Sequence, residues 1–261
     1  MEIIGFILAV LIGVSLGLMG GGGSILTVPL LVYFFQVNPF LASTYSLVIV
    51  GVSSLIGAIP FLKKGEFHIP AIIQLGIPSV IVVSLTKYFL IPLIPEQFQV
   101  GNGIICRSDK LLLVFFSLII ILASLAMIRK QKNEIQKNVS VIQLVFHGVL
   151  TGFLTGLVGV GGGFLIIPVL VLVCKIPMKK AVGSSLIIIL LNSVIGLVSA
   201  KNLASFDYSL LLKITSFSVV GIVIGSYLAT KIDGNKLKKG FGWFILLMGI
   251  GILLKELIPY N

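Results

Sequence analysis

Gly17-Leu18-Met19-Gly20-Gly21-Gly22-Gly23-Ser24 interrupts an apolar run that extends from residue 3 to residue 36. A second stretch, Gly156-Leu157-Val158-Gly159-Val160-Gly161-Gly162-Gly163, interrupts residues 139–174. Each glycine lowers helix propensity by about 1 kcal/mol relative to alanine, so both runs are expected to unwind there. The pieces that follow, residues 24–36 and 164–174, are too short to span a bilayer alone.

The two stretches are copies. A shift of 139 residues aligns Gly17–Pro60 with Gly156–Ser199 without a gap, and 16 of the 44 positions are identical. The matches include Gly20/Gly159, Gly22/Gly161, Gly23/Gly162, Pro29/Pro168, Ser46/Ser185, Ser54/Ser193 and Gly57/Gly196. Apolar bias would not align glycines, a proline and serines together. The chain reads as an internal duplication, with repeat 1 over residues 1–130, a basic cytoplasmic linker over 131–139 and repeat 2 over 140–261, together forming a single unit.

Composition sets the class. Of 261 residues, 57% are apolar and 10% charged, against about 25% charged in a soluble domain. Residues 3–62 contain no Asp, Glu, Lys, Arg or His; as helix they would extend roughly 90 Å, near three bilayer cores. A soluble enzyme, a nucleic-acid binder and a disulfide-stapled secreted domain are excluded on these grounds. The net charge of +11 sits in short loops between apolar runs, where it serves as an orientation signal and contacts lipid headgroups. Cys106 and Cys174 do not form a disulfide framework, and Met1-Glu2 supplies no basic region of a secretory signal.

Further apolar runs cover residues 40–62, 69–91, 111–128, 139–158, 181–200, 208–230 and 240–254. If each glycine-broken stretch is one kinked crossing, the basic residues divide nine against ten across the membrane. If each is a re-entrant hairpin, they divide thirteen against six, and cytoplasmic loops carry such an excess. The reading is therefore an all-α polytopic membrane protein of the cell membrane, with both termini extracytoplasmic. It has two inverted repeats, each made of a glycine-broken re-entrant hairpin and three transmembrane helices. The length of residues 139–158, enough to span alone, argues for the kinked alternative.

No carboxylate lies mid-run: Glu2, Glu66, Glu96, Asp109, Glu134, Asp207, Asp233 and Glu256 all fall in termini, loops or run ends. A carboxylate proton relay is thus missing, no metal site or cofactor motif is present, and no nucleophile motif supports an enzyme. The glycine breaks carry the functional signal, because backbone that leaves the helix at membrane depth needs new partners. Gly20, Gly21, Gly22, Gly23 and Ser24, with Gly161, Gly162 and Gly163, can offer amides and helix starts to an anion. Close helix packing is the alternative use of such glycines. Ser43, Thr44 and Ser46, and Ser184 and Ser185 after Gly183, begin the next apolar run of each repeat. Their hydroxyls could replace an anion's water shell or simply bond helix to helix. Ser53-Ser54 and Asn192-Ser193 occupy matching positions further along, and Asn192 is kept as a candidate ligand. Gln74 is a weaker one. Lys87 reads as a snorkelling side chain, and His147 as a packing histidine or a site of proton coupling.

The paired motifs, the prolines that follow them, the hydroxyl-rich helices and the length together resemble the sulfite exporter TauE/SafE family over essentially the whole chain. The resemblance implies a permease for small sulfur-containing anions such as sulfite, sulfoacetate and other organosulfonates, usually outward, with the glycine and hydroxyl segments as the substrate region. Thr44-Tyr45 against Gly183-Ser184 departs from symmetry. The expected partners are the anionic substrate, membrane lipids and a second copy of the chain in a homo-oligomer. Transport of another small anion or metabolite, and a non-transporting assembly or accessory role, are the competing readings.

Overall fold

A computed structural model describes residues 2–21, 23–90, 93, 97–100, 104–129, 140–158, 163–198 and 207–257. The linker at 131–139 and the candidates Gly22, Gly161 and Gly162 lie outside the described residues.

Ten helices are described. They are α1 (Glu2–Met19), α2 (Ser24–Phe34), α3 (Pro39–Lys63), α4 (Ile69–Leu90), α5 (Ser108–Ile128), α6 (Val141–Val158), α7 (Gly163–Val173), α8 (Met178–Val198), α9 (Tyr208–Lys231) and α10 (Gly234–Leu257). Five of these, α3, α4, α8, α9 and α10, are long and apolar enough to cross a membrane. Between α4 and α5 lies an antiparallel hairpin, β1 (Gln97–Val100) on β2 (Ile104–Arg107), in a segment that the sequence reading leaves as loop.

The helices stop where the glycines begin. α1 ends at Met19 and α2 starts at Ser24; α6 ends at Val158 and α7 starts at Gly163. Shifted by 139, the starts of α2, α3 and α4 fall on those of α7, α8 and α9. The same shift relates two loop conformations, Gln36 (φ 54) and Lys175 (φ 52), both left-handed at the ends of α2 and α7. It also relates the bonds that close those ends, Val37 N–H to Leu31 O and Ile176 N–H to Leu170 O, both 3.0 Å.

Contact directions follow from the residues that meet. The Phe35 ring packs tilted against Phe6, centroids 5.2 Å apart, and an added Cβ at Gly5 would lie 2.6 Å from Phe35. At the other end, Gly23 abuts Leu16, so α2 folds back along α1. α3 and α8 cross antiparallel: Gly51 faces Ser193, Gly57 approaches Leu186, and Gly183 faces Phe61. α1 runs parallel to α9, and α6 parallel to α4, so each half lends its first helix to the other.

Small residues make these seams. Lipid tails are as apolar as leucine, so helices associate through close van der Waals contact. Gly13 and Gly17 press on the backbone of Ser218, Ile222 and Ser226, while Gly221 and Gly225 press on Val10 and Val14. In the matching seam Gly148, Gly152 and Gly156 press on Leu75, Ser79 and Thr86. Outward faces carry exposed apolar side chains such as Leu122, Phe146, Leu212 and Leu247, as a lipid-embedded surface requires.

Candidate functional site

The two glycine breaks meet at the centre of the molecule. A Cβ added at Gly21 would overlap the carbonyl carbon and oxygen of Gly163 and lie 2.9 Å from the amide nitrogen of Phe164. One added at Gly163 would lie 3.1 Å from Gly21 Cα and overlap Ile189. Only glycine allows this approach. Gly20 adopts φ +59, a left-handed conformation that costs a side-chain-bearing residue about 1–2 kcal/mol.

Ser185 ties this junction to α8. Its fully buried hydroxyl lies 2.6 Å from Gly20 O and 2.8 Å from Val182 O, and donates to these carbonyls. Ser24 donates to Gly21 O at 2.8 Å, and its own amide bonds the same carbonyl at 3.2 Å. Thr27 donates to Gly23 O at 3.2 Å. The carbonyls freed by the break are thus recaptured by neighbouring hydroxyls, as backbone at membrane depth requires.

The other sequence candidates divide. Ser46 is buried and donates to Ser43 O at 2.7 Å within α3, while Ser43 and Thr44 are half-buried. Ser184 is fully buried and accepts from the His68 amide at 2.9 Å. Its counterpart at the 139-residue shift is Tyr45, whose hydroxyl accepts from the Asp207 amide at 2.6 Å. His68 and Asp207 are themselves counterparts, and each caps the next helix, through Ala71 N at 3.1 Å and Leu210 N at 3.1 Å. These two crossed clamps join the halves. They were legible only as polar residues at matching positions. Gly183, in place of Thr44, is explained too: the Glu66 carbonyl presses against it.

Asn192 is buried at 7% exposure, with neither Nδ2 nor Oδ1 bonded. His147 is not brought to the junction. It is half-buried on α6, with its ring edge-on to Phe146, and eleven residues, about 16 Å of helix, separate it from Val158. Lys87 lies on α4, and its side chain falls outside the described residues. Among the described residues no group of three or more His, Cys, Asp or Glu could hold a metal ion. Ser79 and Thr155, which belong to no motif in the sequence, also have buried hydroxyls without partners.

The family model for the sulfite exporter TauE/SafE matches residues 5–252. The chain belongs to this family. Curated relatives include a "Probable membrane transporter protein" of Xylella fastidiosa, 28% identical over 94% of this chain and 92% of the relative. One from Methanocaldococcus jannaschii is 30% identical over 88% of this chain and 84% of the relative. Another, YjnA of Bacillus subtilis, is 26% identical over 95% and 98%. No solved structure matches. The protein is thus a membrane-embedded member of a transporter family.

Proposed function

We propose that this protein is a permease for small sulfur-containing anions, such as sulfite, sulfoacetate and other organosulfonates, and that it exports them across the plasma membrane by alternating access. The observation that carries this reading is the contact of Gly21, three residues before α2 starts, with Gly163, where α7 starts. Amides and the positive ends of helix dipoles concentrate there, and they favour an anion. The fold-back of α2 on α1 supports a re-entrant hairpin, and the antiparallel crossing of α3 and α8 supports inverted halves; the thirteen-to-six division of basic residues supports extracytoplasmic termini. Rocking one half against the other then exposes the junction to alternate sides.

The test is flux in proteoliposomes loaded with sulfite, sulfoacetate, taurine, thiosulfate, sulfate or chloride, with and without a pH gradient. Selective movement of a sulfur anion is expected. Ser24→Trp and Ser185→Trp should abolish it while the purified protein stays monodisperse. No flux of any anion from folded protein would refute the function, and full flux in both variants would move the site elsewhere. If flux follows the pH gradient, His147→Gln tests whether that histidine carries the coupling.

A further inference from the structure

The 139-residue shift pairs the two buried seams residue by residue, and one of the two is left open. At the α3–α9 seam, Ser53 Oγ and Ser218 Oγ bond each other at 3.0 Å, both essentially inaccessible. Their counterparts are Asn192 on α8 and Ser79 on α4. The register of α4 on α8 brings these two level, because His68 N bonds Ser184 Oγ and the Cβ position of Gly76 lies 2.9 Å from Ile188 Cγ1. Yet Ser79 Oγ, Asn192 Nδ2 and Asn192 Oδ1 have no hydrogen-bond partner.

A third orphan lies on α6, between the glycines that press on Ser79 and Thr86. Gly152 on α6 sits against Ser79, its Cβ position 2.8 Å from Ser79 Cα. Thr155, three residues further along α6, is buried at 3% exposure with an unpartnered Oγ1. Its counterpart in the first half is Leu16, an apolar side chain that packs against Gly23 at the glycine break. The backbone differs between the seams as well. α4 contains π-helical turns at Ile72–Gly76 and Thr86–Leu90, on either side of Ser79, whereas α9 is α-helical throughout. Such turns concentrate at functional sites.

Many helical hydroxyls bond back to a carbonyl three or four residues earlier, as Ser117, Ser124, Thr151, Thr215 and Thr230 do, while Ser54 Oγ on α3 is a further buried hydroxyl without a partner. Three residues with unanswered buried donors at one seam (Ser79 and Thr155 through their hydroxyls, Asn192 through Nδ2), in a molecule surrounded by hydrocarbon, are costly unless an accepting guest answers them. We propose that Asn192, Ser79 and Thr155 form a one-sided binding site for a singly charged oxyanion, so that the substrate sits off the pseudosymmetry axis, between α4, α6 and α8. The proposal rests on the permease reading and deepens it.

The donor set fixes the class of ligand. Two hydroxyls and an amide NH₂ supply four hydrogen-bond donors for oxyanion oxygens. The buried polar side chains among the described residues are all Ser, Thr or Asn, so no buried cation balances a second negative charge. The cost of desolvating an ion rises with the square of its charge, so such a site selects a monoanion over a dianion, and among the proposed substrates it narrows the choice to hydrogensulfite and simple sulfonates over fully ionised sulfite and sulfoacetate.

The experiment measures binding and thermal unfolding of the full-length protein in detergent, with methanesulfonate as the monoanion and sulfate as the dianion at matched ionic strength. Wild type is expected to bind methanesulfonate at least about tenfold tighter than sulfate, one decade of Kd. Asn192→Leu and Thr155→Val should each weaken methanesulfonate about tenfold, the loss typical of a hydrogen bond to a charged group. Asn192→Leu should also raise the melting temperature of the ligand-free protein, because an apolar side chain replaces an orphaned polar one. Ser218→Ala breaks the closed twin; it should lower the melting temperature and leave affinity unchanged. Methanesulfonate binding that survives in both Asn192→Leu and Thr155→Val overturns this site alone, as does an affinity loss in Ser218→Ala equal to that in Asn192→Leu. A wild type that binds neither anion overturns the permease reading and this site with it.

Discussion

Gly21→Ala adds one methyl group at the point where the two breaks touch. That carbon would overlap the Gly163 carbonyl and lie 2.9 Å from Phe164 N, where ordinary contact begins at 3.4 Å. The obstacle is backbone on both sides, so no side-chain rotation relieves it. Separation of the breaks by roughly 1 Å is needed, and a gap of that size forfeits a quarter to a half of each contact's attraction. Overpacking costs about 1–3 kcal/mol on its own, and the loosened neighbours, among them Ile189 and Phe164, bring the total to about 2–4 kcal/mol. At about 2–4 °C per kcal/mol for a chain of this size, the melting temperature should fall by about 4–16 °C. The assay is thermal unfolding in detergent followed by size exclusion, with flux measured on the same preparation. Gly251→Ala is the control, since nothing lies within 4 Å of its added Cβ; it should match or slightly exceed wild type, as alanine is the better helix former. A Gly21→Ala protein that melts and transports like wild type would refute the argument that the breaks are held in contact.

Gly13→Ala and Gly17→Ala should each lower stability by about 1–3 kcal/mol by forcing α1 from α9, read out as a reduced melting temperature. Their counterparts Gly152→Ala and Gly156→Ala should act alike on α6 and α4. Tyr45→Phe removes the acceptor of the Asp207 amide and Ser184→Ala that of the His68 amide. Each should cost about 0.5–1.5 kcal/mol, the net contribution of a typical hydrogen bond, since His68 is half-buried and Asp207 exposed, and thermal unfolding of the two single variants would expose any inequality between the clamps. Asp207→Ala should cost about 1 kcal/mol through loss of the α9 cap, with Asp207→Asn restoring most of it.

The breaks were legible because runs of glycine leave the helix for reasons internal to the backbone, and Met19, Ser24, Val158 and Gly163 bound them as expected. The duplication was legible because side-chain identity survives at Pro29/Pro168 and Ser46/Ser185. What each hydroxyl does was not legible. Ser46 and Ser185 occupy matching positions, yet one bonds within its own helix and the other reaches across to Gly20. That difference depends on which backbone carbonyls the break has stranded nearby, a property of packing alone. Ser79 and Thr155 escaped notice because an orphaned group is defined by what fails to surround it. The hairpin of β1 and β2 did leave a signal: Gly101-Asn102-Gly103 joins Gln97–Val100 to Ile104–Arg107, a turn sequence between two strand-forming runs.

The exchange of first helices between halves has a consequence for synthesis. α1 emerges from the ribosome at residues 2–19, but its glycine-lined partner α9 is complete only at residue 231. At about 5–20 residues per second that interval is roughly 10–40 s. During it, Gly13 and Gly17 present a bare groove to lipid or to any insertion machinery at hand. The first half therefore waits as an unfinished assembly, and separately expressed halves should accumulate only when made together.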